Sequence, residues 1–254
     1  MEEPAWNTLV ADALQRPPSA VVAHTFVKAW PSASRPALLA CDDGHDWVVK
    51  GRQSLKQAVT DQILGTLGRA LGGPIPEISQ VELPQTLVAA QPELSHFTPG
   101  RAHGSRFLSG YTEREGLAHA IPENEGPFTH LAGFYGWGMA QDHQFIYRVL
   151  PPSLVMSVDH GHFVGGAAWD AATLASNADN ADLDQQIEAH SPPSKANLKQ
   201  LLNRVNGVTD EVIASAVALP GLDWDITMDE RIALASLLFR RQNHLRERLE
   251  DRLK

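Results

Sequence analysis

Residues 20–50 hold three short runs of apolar and β-branched residues, joined by connections too short to bring a strand back in parallel. They are residues 20–30 (AVVAHTFVKAW), 36–41 (PALLAC) and 46–50 (DWVVK). Asp42, Asp43 and Gly44 supply turn chemistry between the last two, so the spacing predicts an antiparallel meander. From residue 54 to 71 the pattern changes to helical period, with Val59, Ile63, Leu67, Ala70 and Leu71 on one stripe. Gly72, Gly73 and Pro74 end it. A further strand limited by prolines is expected around residues 75–83, and a short helix over residues 1–16 carries Trp6, Leu9, Val10 and Leu14 on one face. Residues 84–110 hold Pro92, Pro99, Gly100, Gly104 and Gly110 and read as a loop-rich hinge. The expected division is residues 1–110, a sheet with one helix, and residues 111–254, mostly helical.

In the second part, residues 128–139 (FTHLAGFYGWGM) are apolar and aromatic and read as a buried helix. Helices follow over residues 195–205 and 209–219, and Thr227 with Glu230 fits a capping box for a last helix over residues 229–252. The arginines of that helix, Arg240, Arg241, Arg246 and Arg248, read as a solvated face. Between these helices lies QDHQFIYRVLPPSLVMSVDHGHFVGG, residues 141–166, a hairpin turning at Pro151, Pro152 and Ser153. It brings Asp142 and His143 near Asp159, His160 and His162.

Composition narrows the function classes. A formal net charge of -9 gives no basic surface for nucleic acid or an anionic membrane. No apolar run approaches the roughly 20 residues that cross a bilayer. The single Cys41 excludes an internal disulfide, and the acidic, amphipathic start is unlike a signal peptide. The expected location is the cytoplasm.

Lys50 ends a β-branched strand, and Asp61 lies on the first turns of the helix that follows. This is the arrangement in which kinases hold the α- and β-phosphates, the carboxylate steering the ammonium and the ammonium meeting phosphate. Further on, Asp142 precedes a strand and Asp159 follows it in an Asp-x-Gly pattern, the order of a catalytic base and a Mg²⁺ ligand. Another chemistry competes for the same stretch. His143, Asp159, His160 and His162 are possible ligands of a transition metal, which would make the chain a metal-dependent hydrolase. Against it, adjacent residues of a strand point to opposite sides, and no HExxH helix is present. For His160 and His162 a structural role in hydrogen bonding stands beside the ligand reading.

With lysine, acidic helix and both aspartates in order, the sequence resembles the HipA-like kinases, from about residue 21 to about residue 245. The matching stretches are PALLACDDGHDWVVKG, TDQILGTLGRALGGPIPE, GSRFL, WGMAQDHQ, SVDHGHF and ALPGLDW. The resemblance implies an α+β, bilobal protein-kinase-like fold with ATP and Mg²⁺ in the cleft. It implies Lys50 on phosphate with Asp61 as its partner, Asp142 as catalytic acid/base and Asp159 as metal ligand. Ser32, Ala33, Ser34 and Arg35 fall where such folds place a phosphate-covering loop, although relatives have glycines there. A second departure is Tyr147, which occupies the place of the Asn expected five residues after the catalytic Asp. Gln144 is the alternative oxygen donor to the metal, and His143 and His160 are expected to shape the loops that aim the aspartates. The function implied is an ATP- and Mg²⁺-dependent Ser/Thr protein kinase. A pseudokinase that binds nucleotide as an interaction module is the alternative, and the metal-dependent hydrolase comes third.

Overall fold

The computed structural model describes residues 3–113 and 121–254. Its first helix, α1 (Trp6–Leu14), buries Trp6 and Val10 against the helices at the far end of the chain. Strands β1 (Ala20–Ala29), β2 (Ala37–Cys41) and β3 (Asp46–Lys50) pair antiparallel in sequence order, as the short connections require. Two later strands, β4 (Ile78–Leu83) and β5 (Gly100–Arg106), extend the sheet in the order β3-β5-β4. β4 then pairs in parallel with the start of β1, Ala20 opposite Gln80 and Val22 opposite Glu82, and the sheet closes into a barrel. The expected sheet is therefore amended in one respect, since a single parallel pairing removes its free edges. Inside, Leu39, Trp47, Val49, Val81 and Leu83 make a small core of their own.

The loop-rich expectation for residues 84–110 is corrected. This segment holds a short helix, α3 (Gln85–Ala90), and the whole of β5, which lies between two other strands. β5 reads GRAHGSR, without the apolar alternation that marks a strand. It is a strand because the neighbours on both sides need backbone partners and because it is slim. A Cβ at Gly104 would lie 2.5 Å from Val81 and 3.3 Å from Trp47.

Helix α2 (Lys56–Ala70) follows β3 and is buried on nearly every side, including the polar Thr60, Asp61 and Gln62. Its Val59, Ile63, Leu64 and Leu67 join the larger core with α4 (Pro122–Gly138), which begins earlier than the expected residue 128. α4 ends where Met139 takes a left-handed conformation, φ 55°. A second sheet, β6 (Tyr111–Glu113), β7 (Phe145–Arg148) and β8 (Val155–Ser157), contains the expected hairpin. Short helices α5 (Ala171–Ser176) and α6 (Gln185–His190) precede α7 (Lys195–Gly207), α8 (Asp210–Ala218) and α9 (Met228–Leu253).

The capping box of α9 forms as read, with Thr227 N–H donating to Glu230 Oε2 at 2.8 Å and Glu230 N–H to Thr227 Oγ1 at 3.3 Å. The solvated reading of its arginines fails at Arg241, which is buried. Its guanidinium donates to the carbonyls of Gly136, Trp137, Ala178 and Asn180, so it satisfies the end of α4. The segment between α8 and α9 reaches back to α2. Arg52 donates to Asp223 Oδ2 at 2.7 Å, and Lys56 lies 2.7 Å from both the Asp225 carbonyl and Glu230 Oε2. Lys56 also sits 4.7 Å over the Trp169 ring. Among the described residues no helix is long and apolar enough to cross a membrane.

Candidate active site

β3 ends at Lys50, and its neighbour across the ladder on β5 is His103. The Lys50 side chain is 6% exposed. Its ammonium donates to Asp61 Oδ2 at 2.7 Å and also to Asp159 Oδ1. Asp61 is held in turn, because its Oδ1 accepts the backbone N–H of His160 at 2.6 Å. One helix, one barrel strand and the loop after β8 thus converge on a single ammonium. Asp159 reaches it from a left-handed backbone, φ 58°, which turns the chain sharply after the strand.

Burial opposes the charge on Lys50, but the two carboxylates outweigh it, and its pKa is raised. Burial also opposes the charge on Asp61, and Lys50, then His103 and His160, more than compensate, leaving it well below the usual carboxylate range. The two histidines go the other way. Burial pushes both His103 and His160 down to about 4 despite the pull of Asp61, so both are neutral at pH 7. His103 Nδ1 meets Gln62 Oε1 at 2.9 Å, and His160 Nε2 meets Ser157 Oγ at 2.9 Å.

These groups form the floor of a cleft of about 580 Å³. Val48, Phe107, Ile146 and Val158 give it apolar walls, while Lys50, Asp61, Asp159 and Gln144 give it polar groups at one end. Lys28 stands over the ring of Trp30 at 4.5 Å and near Phe107 at 5.5 Å, at the same opening.

The other predicted residues are placed as follows. Ser32 lines the cleft, whereas Ser34 and Arg35 do not. Ser34 is buried and accepts the Ser54 hydroxyl at its carbonyl, and Arg35 is exposed with φ 45°. Asp142 lies in the loop between α4 and β7. Its Oδ1 accepts the His143 N–H and its Oδ2 accepts Gln144 Nε2, each at 2.8 Å. His143 Nε2 stands 3.1 Å from Asp184 Oδ1, and its ring packs 4.9 Å from that of Tyr135. His143 therefore braces the loop from below.

Tyr147 is not at the cleft. It is wholly buried in the larger core, because β7 alternates and sends Phe145 and Tyr147 inward. Gln144 and Ile146 are the residues that line the cleft, so counting five positions from Asp142 overshoots. The metal-hydrolase ligand set is not assembled either. Among the described residues, no group of three or more His, Cys, Asp or Glu side chains could hold a metal ion, and His160 points to Ser157 instead. For a single hard cation, Asp159 and the Gln144 amide oxygen offer suitable donors. Gln144 commits its NH₂ to Asp142, which leaves its oxygen as the free donor.

Sequence reasoning missed His103, Lys28 and the Lys56–Glu230 tie. His103 reaches Lys50 through the β3–β5 pairing, Lys28 meets Phe107 only through the fold, and Glu230 returns from a distant segment, so no local spacing marks these contacts.

A barrel with one buried helix, packed on a helical half and holding lysine and aspartates in the cleft, is a protein-kinase-like fold of the α+β class. One solved structure agrees in fold. The crystal structure of a Helicobacter pylori proinflammatory kinase, CtkA, superposes with a TM-score of 0.54 at 10% identity, covering 92% of this chain and 98% of that one. The Golgi casein kinase with Mn/ADP bound gives a TM-score of 0.48 at 13% identity, covering 98% of this chain and 77% of that one. No curated protein matches the sequence. The family described as HipA-like kinase matches residues 25–142, so the resemblance to that family holds over the stretch that contains Lys50, Asp61 and Asp142.

Proposed function

We propose that the chain is an ATP-dependent phosphotransferase that uses Mg²⁺ and acts on a Ser or Thr hydroxyl of a protein. The cleft is read as the junction of a barrel part, residues 1–110, and a helical part, residues 111–254. The observation that carries the reading is the buried Lys50 ammonium held between Asp61 and Asp159 at the polar end of the cleft. The apolar walls suit a base, and Lys50 meets the phosphates once it exchanges Asp159 for a phosphate oxygen. Ser32 can add a hydroxyl above them.

Asp159 and the Gln144 oxygen would hold the divalent ion. When bound, that ion neutralises charge on the phosphate oxygens. Asp61 keeps Lys50 charged and aimed, and Asp142 receives the proton of the acceptor hydroxyl. The acceptor oxygen forms its bond to the γ-phosphorus as the bond to the ADP oxygen breaks. Most of the rate comes from holding these groups in place.

Asp142→Asn tests this directly. Transfer of labelled phosphate to protein should fall about 10²- to 10⁴-fold, the usual worth of a general base. The ATP-induced rise in Tm should survive. An unchanged transfer rate would remove Asp142 from the mechanism. The inward position of Tyr147 favours a second reading, a pseudokinase, because the second-ion ligand of kinases has no counterpart at that position. Nucleotide that raises Tm with no transfer to any lysate protein, with Mg²⁺ or Mn²⁺, supports that reading over the first.

A further inference from the structure

The cleft holds a charge that the phosphotransfer scheme does not use. Its lining includes the cationic side chains of Lys28, Lys50 and Arg106. Lys50 is shared between two carboxylates, and Arg106 lies 3.3 Å from Glu77 Oε2 and 3.2 Å from His45 Nδ1. Lys28, exposed on β1, has no carboxylate partner among the described residues. Its ammonium instead stands 4.5 Å from the centroid of the Trp30 ring and 5.5 Å from that of Phe107. Aromatic faces hold a cation in place without cancelling its charge, so Lys28 stays open to an anion.

The sheet register indicates which part of a ligand Lys28 meets. Lys28 is opposite Leu38, and Leu38 is opposite Val48, so Lys28 shares a rung with an apolar wall residue of the cleft. On the next rung the Trp30 backbone N–H donates to the Pro36 carbonyl, and β3 contributes Lys50, two residues beyond Val48. On the opposite side lies Phe107, two residues after the Ser105 that pairs with Val48. Two residues span about 7 Å of strand. Lys28 therefore stands one rung short of the lysine clamp, between the apolar walls and the polar end. In a nucleotide laid along that line, it faces the phosphate next to the sugar.

The loop after β1 offers little in its place. Residues 32–35 contain no glycine, the Arg35 N–H is spent on the Ser32 carbonyl at 3.0 Å, and the Ser34 carbonyl accepts the Ser54 hydroxyl. The polar end itself sets one ammonium against two carboxylates, so an incoming phosphate needs positive charge from elsewhere. We infer that Lys28 supplies it, as a binding residue that contacts the α-phosphate of the nucleotide from β1. The inference rests on the proposed function for there being a nucleotide in the cleft, but it does not need phosphate transfer.

Titration calorimetry of the wild type, Lys28→Met and Lys28→Arg with adenosine, AMP and ATP tests this. Lys28→Met should weaken AMP and ATP alike by about 5-fold, the upper range for an exposed ion pair, and leave adenosine unchanged. Lys28→Arg should recover most of the loss. The gap between wild type and Lys28→Met should also shrink between about 0.05 M and about 0.5 M salt, because the contact is screened. Where transfer is measured, the loss in kcat/KM should come from KM, since the α-phosphate is not the group transferred. Adenosine weakened as much as AMP places Lys28 on the base or sugar and overturns the inference. ATP weakened with AMP unchanged, or no change in either, also overturns it. A wild type that binds AMP and ATP but transfers no phosphate refutes the proposed function, and Lys28 is then decided on binding. A wild type that binds none of the three ligands refutes both.

Discussion

Lys50→Met is the substitution whose consequences can be worked furthest from the structure. It keeps much of the volume and removes the ammonium from a site where Asp61 has a side chain only 3% exposed. Removing one partner of a buried ion pair typically costs about 3–5 kcal/mol, since the other charge is left without compensation. A domain of this kind has about 5–15 kcal/mol in total, so the variant should fold with a much reduced margin. The cost should also depend on pH. In the wild type, Asp61 has its pKa depressed, so its contribution is complete above its unfolded value of 3.8 and is lost only as pH falls through the folded one. Lys50 has its pKa raised, so its contribution is fully present below its unfolded value of 10.5. Neither group titrates between pH 8 and pH 5. In the variant, burial pushes the unpaired Asp61 upward, and a proton taken up by it, or by His103 or His160 beside it, relieves the unmet charge. The stability gap between the two proteins should therefore narrow as pH falls, by at most about 1.4 kcal/mol per pH unit. Urea unfolding of both proteins at pH 8, 7, 6 and 5 measures this gap. A gap that stays constant or widens toward pH 5, or one below about 1 kcal/mol at pH 8, would refute the reasoning.

Two further predictions follow from burial and packing. His103 and His160 have folded pKa values of about 4 against 6.5 when unfolded, so the unfolded chain binds more protons below pH 6.5. Their contribution is present above that pH and is lost as pH falls toward 4. The wild-type urea midpoint should drop clearly between pH 7 and pH 5, and a flat midpoint would contradict two neutral buried imidazoles. Gly136→Ala would place a Cβ 1.7 Å from the Asp182 carbonyl oxygen, which the backbone must move to relieve. Overpacking of this kind costs about 1–3 kcal/mol, or roughly 2–4 °C in Tm per kcal/mol for a chain of this size, readable by calorimetry.

How much of this was legible in the sequence depends on whether a signal is local. The runs that became β1, β2 and β3, the helical stripe of α2 and the capping box of α9 each announce themselves within a few residues. Lys50, Asp61 and Asp159 could be named because each stands at the end or first turns of such an element. β5 could not, because its backbone is recruited by β3 and β4, while its residues, GRAHGSR, resemble a loop. His103 was hidden with it. Tyr147 was misplaced by counting along a loop that is in fact a strand, where alternation decides which side chain sees the cleft. Arg241 was read as solvated because charge usually is, and nothing nearby in the chain shows that four carbonyls await it.

The ties from Arg52 and Lys56 to Asp223 and Asp225 span 171 and 169 positions of the chain. The helix that carries Asp61 is thus pinned by a segment the ribosome makes long after it. Contacts of such separation are slow to form and come late in folding. Until residues 223–230 have emerged and docked, α2 lacks these anchors and the lysine clamp is incomplete. A nascent chain would accordingly acquire its barrel well before these ties anchor the helix that carries Asp61.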